Sequence, residues 1–356
     1  MSARPSADGS ALRWGVLGAG RIAQQFVTEL QTTGSGTISG VASRDPSRAE
    51  KLAGAVPGAE AFDSYAALLE DARIDAVYIA TIHPQHAELI TAAASAGKHI
   101  LCEKPLTTNG QAAESACDAA AAAGVALVEA MMYRFQPQTE ALRRMLGSGA
   151  IGTPLHVSVS CAFAAPFDPG DRLFDRDLGG GGILDVGCYS MSFARMVAGW
   201  VLQDDAAEPA ELHGGGHLAD SEVDDWAVAS LLFADGFTAQ VRTGTRLGEA
   251  QDAVIYGSEG YVYIANPWTP GKDGSAPEFV VSRVGHDKPE IVRCAARPLF
   301  GAEAAALAEA IETGAAGSMT PRDSVATMRS LDRWRAAVEA GQSLSTSARV
   351  AENRSQ

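Results

Sequence analysis

Three groups of residues in this chain have the types and spacing for chemistry. Lys104 lies in Leu101-Cys102-Glu103-Lys104-Pro105-Leu106, directly after a short apolar run. An ammonium held beside another positive charge has its pKa lowered and can exchange a proton with a bound hydroxyl near neutral pH. Asp185 and Tyr189 follow the glycine run Gly179-Gly180-Gly181-Gly182. Their i, i+4 spacing puts a carboxylate and a phenol on one helix face, where both can point into one cleft. Gly18-Ala19-Gly20-Arg21-Ile22-Ala23 is the pattern G-x-G-x-x-G/A in its alanine form. Gly18 permits a tight turn, Gly20 lets backbone approach a diphosphate, and Ala23 is small enough for close helix–strand packing. Alone, each has a plainer reading: a tight turn, a surface lysine paired with Glu103, a helical Asp bonded to local backbone, a half-buried tyrosine.

The elements around these residues favour the chemical reading. Leu12–Leu17, Ile38–Ala42, Ala76–Ala80, His99–Cys102 and Ala126–Val128 are short apolar runs. Amphipathic stretches separate them: Ile22–Leu30, Pro46–Ala53, Tyr65–Leu69, Ala87–Ala96 and Gln111–Ala123. Buried strands alternating with helices predict a doubly wound parallel sheet, the Rossmann arrangement. The glycine turn then opens the first helix, whose N-terminal N–H groups and dipole suit a dinucleotide diphosphate. Ligands of such sheets sit beyond the carboxyl ends of the strands, which is where Lys104 falls. The second strand ends in Ser43-Arg44-Asp45, with Arg48 one helical turn on. Guanidinium groups suit a 2′-phosphate, so the reading leans to NADP, while Asp45 folding back to the ribose would allow NAD.

Past residue 130 the pattern changes. A helix near Thr139–Leu146 and a strand over Leu155–Phe163 lead to a Pro-, Asp- and Gly-rich loop and a helix over Ile183–Val197. Strand pairs flank Ala234-Asp235-Gly236 and Gly257-Ser258-Glu259-Gly260, two hairpin signals. The second domain is therefore expected to be α+β with an antiparallel sheet, closed by helices near Ala302–Thr313 and Ser324–Ala340. The expected divisions are a loose lead at 1–10, a dinucleotide-binding domain at 11–131, a substrate and oligomerisation domain at 132–345, and a loose tail at 346–356.

The chain has 356 residues, with 28 Lys plus Arg against 43 Asp plus Glu. The resulting charge of −15 is the wrong sign for neutralising phosphates, so nucleic acid is excluded as the expected partner. The five cysteines form no CxxC pair, and His213 and His217 lack partners at metal-ligand spacing, so no metal is assigned. With no long apolar stretch, no membrane partner is expected either. These features fit a cytoplasmic protein in a reducing compartment.

Taken together, the glycine turn, Pro84-Gln85-His86, Glu103-Lys104-Pro105, Glu129-Ala130-Met131-Met132-Tyr133-Arg134-Phe135 and Gly179–Tyr189 resemble the glucose–fructose oxidoreductase / inositol dehydrogenase / MocA-type (Gfo/Idh/MocA) oxidoreductases. The resemblance covers nearly the whole chain. It implies a Rossmann domain, a C-terminal domain with a large open antiparallel sheet, a nicotinamide cofactor, homodimers or homotetramers, and oxidation or reduction of sugars or polyols. Residue by residue, it implies that Lys104 contacts the reacting hydroxyl, with Pro105 often cis, and that Asp185 holds a sugar hydroxyl or orients Lys104. Many relatives carry His at position 189. The Tyr here resembles the branch with dimeric dihydrodiol and xylose dehydrogenases, and implies Tyr189 as general acid/base. Cofactor contacts are expected from Gly18, Gly20, Arg21, Ile22, Ser43, Arg44, Arg48, Thr81, His83, His86, Glu103 and Lys104. Substrate contacts are expected from Arg134, Phe163, Arg172 and Arg176; a salt bridge between domains is the alternative for Arg134, and a solvated loop for the last two. A competing expectation on the same scaffold is an oxidoreductive glycosidase that oxidises its glycoside transiently with tightly held NAD. A cofactor-binding sensor without turnover is a third.

Overall fold

The structure, a computed structural model, describes residues 12–34, 36–315 and 317–353, with backbone alone for 342–353. The lead at 1–10 and residues 354–356 lie outside the described residues. The chain forms two compact units: residues through Pro137 with Ala296–Val325, and Gln138–Ala295 with the chain from Ala326.

The first unit runs β1 (Arg13–Leu17), α1 (Arg21–Thr33), β2 (Thr37–Ala42), α2 (Pro46–Gly54), β3 (Glu60–Phe62), α3 (Tyr65–Glu70), β4 (Ala76–Ile79), α4 (His86–Ser95), β5 (His99–Glu103), α5 (Gly110–Ala123) and β6 (Leu127–Ala130). The strands are parallel in the order β3-β2-β1-β4-β5-β6, the doubly wound topology with its switch point beside β1. Every residue of β4, β5 and β6 is buried, as strands covered on both faces require. Helix α1 buries Ala23, Phe26, Val27 and Leu30, the i, i+3, i+4, i+7 stripe of an amphipathic helix. Phe26 stacks on Tyr78 with centroids 3.9 Å apart and meets Trp14 and Phe300 edge-on at 5.4 and 6.2 Å. Phe300 belongs to a helix from the far end of the chain, Leu299–Thr313. Gly301 N–H of that helix donates to Glu29 at 2.8 Å, so residues the linear division assigns to the second domain complete the core of the first unit.

The second unit begins with α6 (Pro137–Gly147) and β7 (Pro154–Ala162). A π-helical turn (Ile183–Gly187) leads into α7 (Cys188–Leu202), followed by β8 (Glu211–Leu218), β9 (Asp224–Leu232), β10 (Thr238–Gly244), β11 (Asp252–Gly257), β12 (Gly260–Ala265), β13 (Glu278–Arg283) and β14 (Glu290–Arg293). The sheet order is β14-β13-β12-β11-β7-β10-β9-β8, antiparallel except for the β7–β10 pair. Both expected hairpin turns form. In β9 the alternation is clean: Ala227, Ala229 and Leu231 are buried, while Trp226, Val228 and Leu232 are exposed.

Helices α8 (Leu299–Thr313) and α9 (Pro321–Asn353) follow the sheet. Helix α9 continues through 346–353, where the sequence reading expects a loose tail; no Gly or Pro follows Gly341 to stop it. Among the described residues, no helix is long and apolar enough to cross a membrane.

Candidate active site

The glycine turn has the geometry its residue types imply. Gly18 has φ +102°, and a Cβ there would lie 2.5 Å from the Ala80 carbonyl oxygen, so only glycine passes the end of β4. Gly18 N–H donates to Ala42 O at 2.8 Å and Ala80 N–H to Leu17 O at 2.8 Å, tying the carboxyl ends of β2, β1 and β4 together. Gly20 is different. Its φ of −78° and ψ of −178° suit any residue, and a Cβ there would meet nothing within 4 Å. The fold does not need glycine at this position, whereas a ligand backed against the chain would.

Helix α1 starts at that open space without a side-chain cap, leaving its first N–H groups to another partner. Helices α2, α3 and α5 are capped by Asp45, Ser64 and Asn109, whereas α4, α7 and α8, like α1, have no side-chain cap, so it is the open space behind Gly20 that sets α1 apart. An uncapped helix N-terminus behind an unneeded glycine fits a dinucleotide diphosphate. Beside it, Asp45 is occupied in capping: Oδ1 accepts from Ser47 N–H and Oγ–H at 3.1 and 2.6 Å, and Oδ2 pairs with Arg48 at 3.3 Å. Arg44 is exposed at the tip of β2 and ion-pairs with none of the described residues. Its backbone N–H and charge face the Tyr65 hydroxyl, whose pKa burial raises against them.

The loop after β4 brings Thr81, His83 and His86 to the same sheet edge. His86 is wholly buried, with Nδ1 3.0 Å from Pro105 O and Nε2 3.3 Å from Thr81 O. Burial lowers its pKa, against the backbone carbonyls of Pro105 and Thr81. His83 lies beside it, ring centroids 5.8 Å apart. Lys104 follows β5, partly exposed, and the Lys104–Pro105 bond is cis. Glu103 is buried, accepts from the Tyr78 hydroxyl, and its Oε2 accepts Lys104 N–H at 3.3 Å.

Arg134 does not reach outward. It is 4% exposed, its Nε donates to Tyr133 Oη at 3.0 Å, and Nη2 pairs with Asp323 at 2.7 Å. These contacts lie inside the first unit, so Arg134 makes a buried ion pair there and not the expected salt bridge between domains.

In the second unit, Asp185 and Tyr189 are both buried, at 6% and 7% exposure. The straight i, i+4 geometry gives way to a π turn through Asp185 that becomes α7 at Cys188; such turns often mark functional sites. Its start is held by Asp224, whose Oδ2 accepts Ile183 N–H at 2.6 Å, and Gly181 (φ +107°) leaves room for that carboxyl: a Cβ would sit 2.6 Å from Asp224 Oδ1. Burial, against the Ile183 bond, raises the Asp224 pKa to about 7. Arg172 places Nη1 and Nη2 each 3.2 Å from Asp185 Oδ1, so it acts on the carboxylate. The Tyr189 ring packs on Trp268 at 5.6 Å, and Trp268 Nε1–H donates to Ser160 O at 3.1 Å. Phe163 follows β7 with its backbone tied to Gly244 and Leu247. Arg176 is bound up with Glu222 and Glu339 at 3.7 and 3.4 Å, the solvated-loop alternative. Asp224 and Trp268 escape sequence reasoning because neither stands in a motif. His217 pairs with Asp225 at 2.8 Å and His213 with Glu211 at 3.3 Å.

Residues 12–131 match the family model described as "Oxidoreductase family, NAD-binding Rossmann fold", and 139–263 match the GFO/IDH/MocA C-terminal domain. The chain is 33% identical to mouse trans-1,2-dihydrobenzene-1,2-diol dehydrogenase over 78% of its own length and 82% of that relative. It is 32% identical to D-xylose 1-dehydrogenase (NADP(+)) 2 of Haloferax volcanii, over 93% of this chain and 98% of that one. A 3-ketoreductase from Actinomadura kijaniata, solved with NADP and TDP-benzene, superposes with a TM-score of 0.79 at 29% identity, covering 93% and 98% of the two chains. The glycine turn, the lysine after β5 and the carboxylate–phenol pair thus stand in a chain that belongs to the Gfo/Idh/MocA oxidoreductase family.

Proposed function

We propose that this protein is an NADP-dependent dehydrogenase of sugars or polyols. The uncapped α1 N-terminus behind Gly20 carries the reading, since it is a diphosphate cradle that the fold alone does not require. Arg44, with no ion pair among the described residues, and Asp45, committed to Ser47 and Arg48, favour a 2′-phosphate over a bare ribose. The xylose dehydrogenase relative is named for NADP, and the ketoreductase was solved with it. When bound, the nicotinamide supplies hydride exchange at a hydroxyl-bearing carbon.

The chain's own part is to hold the hydroxyl and its proton. A Tyr189 phenolate takes that proton and becomes the neutral phenol, and the positive charge of the Lys104 ammonium favours the phenolate form that must be present beforehand. Asp185, held by Arg172, accepts a neighbouring hydroxyl of the substrate. We also propose a cytoplasmic location, because the five cysteines form no disulfide among the described residues. Self-association through the outward sheet face, where Trp226, Val228, Tyr256, Tyr261 and Ile291 are exposed, would give the dimer or tetramer; light scattering reads it.

The test is a panel of aldoses, polyols and aryl glycosides, each with NADP and with NAD, followed by reduced-nicotinamide absorbance. Net reduction of NADP with one of the sugars or polyols is expected. Aglycone release without coenzyme reduction would overturn the reading for the glycosidase, and coenzyme binding without turnover for the sensor.

A further inference from the structure

The peptide turn that carries Lys104 is held at three successive residues by three buried titratable side chains. Glu103 Oε2 accepts Lys104 N–H at 3.3 Å, His86 Nδ1 lies 3.0 Å from Pro105 O, and Glu129 Oε1 accepts Leu106 N–H at 2.8 Å. All three are buried, at 6%, 0% and 2% exposure. Glu129 stands on β6, where it pairs in register with Cys102 of β5, so its carboxyl reaches the turn from the neighbouring strand. A hydrogen bond to a charged acceptor is roughly twice as strong as a neutral one. The charge on Glu129 therefore sets how firmly Leu106, and with it Lys104, is held.

We propose that Glu129 is a positioning residue for Lys104, acting through its bond to the Leu106 amide, and that its protonation loosens the turn. The inference rests on the role given to Lys104 above. Facing Glu129 are Cys102 on β5, Cys117 on α5, Arg134 on the turn after β6, and Asp323 and Ser324 on α9. Arg134 and Asp323 pair with each other and largely cancel. Burial dominates and lifts the Glu129 carboxyl to about 7, against the Ser324 hydroxyl and the Leu106 amide, so the switch works across neutral pH.

The test is amide spectroscopy of the full chain labelled with 13C′-proline and 15N-leucine, which selects Leu106, Leu155 and Leu299. The Leu106 signal should titrate near neutrality in the wild type and be pH-invariant in Glu129→Gln, which keeps an acceptor without the charge. In parallel, kcat on the best sugar should lose its neutral ionisation in Glu129→Gln. In Glu129→Leu, kcat should fall about 10- to 100-fold with the KM for coenzyme unchanged. A Leu106 amide that does not titrate in the wild type, or a Glu129→Gln enzyme with the wild-type pH profile, overturns the proposal. If no sugar is turned over but Leu106 titrates through Glu129, the anchor stands and the dehydrogenase reading fails.

Discussion

The two glycines of the first turn are expected to fail in opposite ways when a methyl group is added. Gly20→Ala places Cβ where nothing lies within 4 Å, on backbone with φ −78°. It should leave apo stability unchanged or raise it by up to ~1 kcal/mol, because alanine restricts the unfolded chain. Its cost falls on the coenzyme. Pushing a phosphate off one backbone N–H removes a charge-assisted bond worth ~1.5–3 kcal/mol, about 10- to 150-fold in Kd. Gly18→Ala is the reverse case. With φ +102° and Cβ 2.5 Å from Ala80 O, it pays ~1–2 kcal/mol for the backbone conformation and ~1–3 kcal/mol for displacing the end of β4. Urea unfolding of the apoproteins, with NADP titration by calorimetry, separates the two. A Gly20→Ala protein less stable by more than ~1 kcal/mol, or one that binds NADP like the wild type, would refute the assignment of this glycine to a ligand.

Other expectations follow from buried charge. Asp323→Ala strands the Arg134 guanidinium at 4% exposure and should cost ~3–5 kcal/mol in urea unfolding. Asp224 binds its proton more tightly folded (about 7) than unfolded (3.8), so its contribution is full at low pH and is lost as pH rises toward 7. Relative to Asp224→Asn, which keeps an acceptor for Ile183, the wild type should therefore lose roughly 3 kcal/mol between about pH 5 and about pH 8; a pH-independent difference would contradict this. Arg44→Ala should weaken NADP about 10- to 100-fold in kcat/KM while sparing NAD, measured by steady-state kinetics with each coenzyme; equal losses for both would remove Arg44 from 2′-phosphate recognition.

Much of the first unit can be read from its residues because each signal is local: apolar strands, amphipathic helices, and the glycine turn at Gly18–Ala23. What escaped is non-local or carries weak propensity. β3 is three residues long with two of them exposed. β8 contains Gly214-Gly215-Gly216, a composition that reads as loop. β13 and β14 follow a Pro- and Gly-rich stretch that hides their alternation. The π turn at Asp185 is a choice of backbone hydrogen bond, which side-chain spacing does not record. At the site, Lys104, Asp185 and Tyr189 stand in motifs, and so do Glu129 and Arg134, but a motif does not record which distant residue each one bonds. Glu129 lies 23 residues from its partner Leu106, and Asp323 lies 189 residues from Arg134. Such pairings become visible only once the chain is folded.

The proton roles of Lys104 and Tyr189 are tested most directly by isotope transfer. The best sugar, deuterated at every carbon, is incubated with NADP and wild-type, Lys104→Met or Tyr189→Phe enzyme, and the reduced coenzyme is weighed by mass spectrometry. Deuterium on the nicotinamide of the wild-type product, its near-disappearance in both variants, and coenzyme affinities within about twofold of wild type are the expected result. Deuterium transfer at the wild-type rate by Lys104→Met or Tyr189→Phe would contradict it.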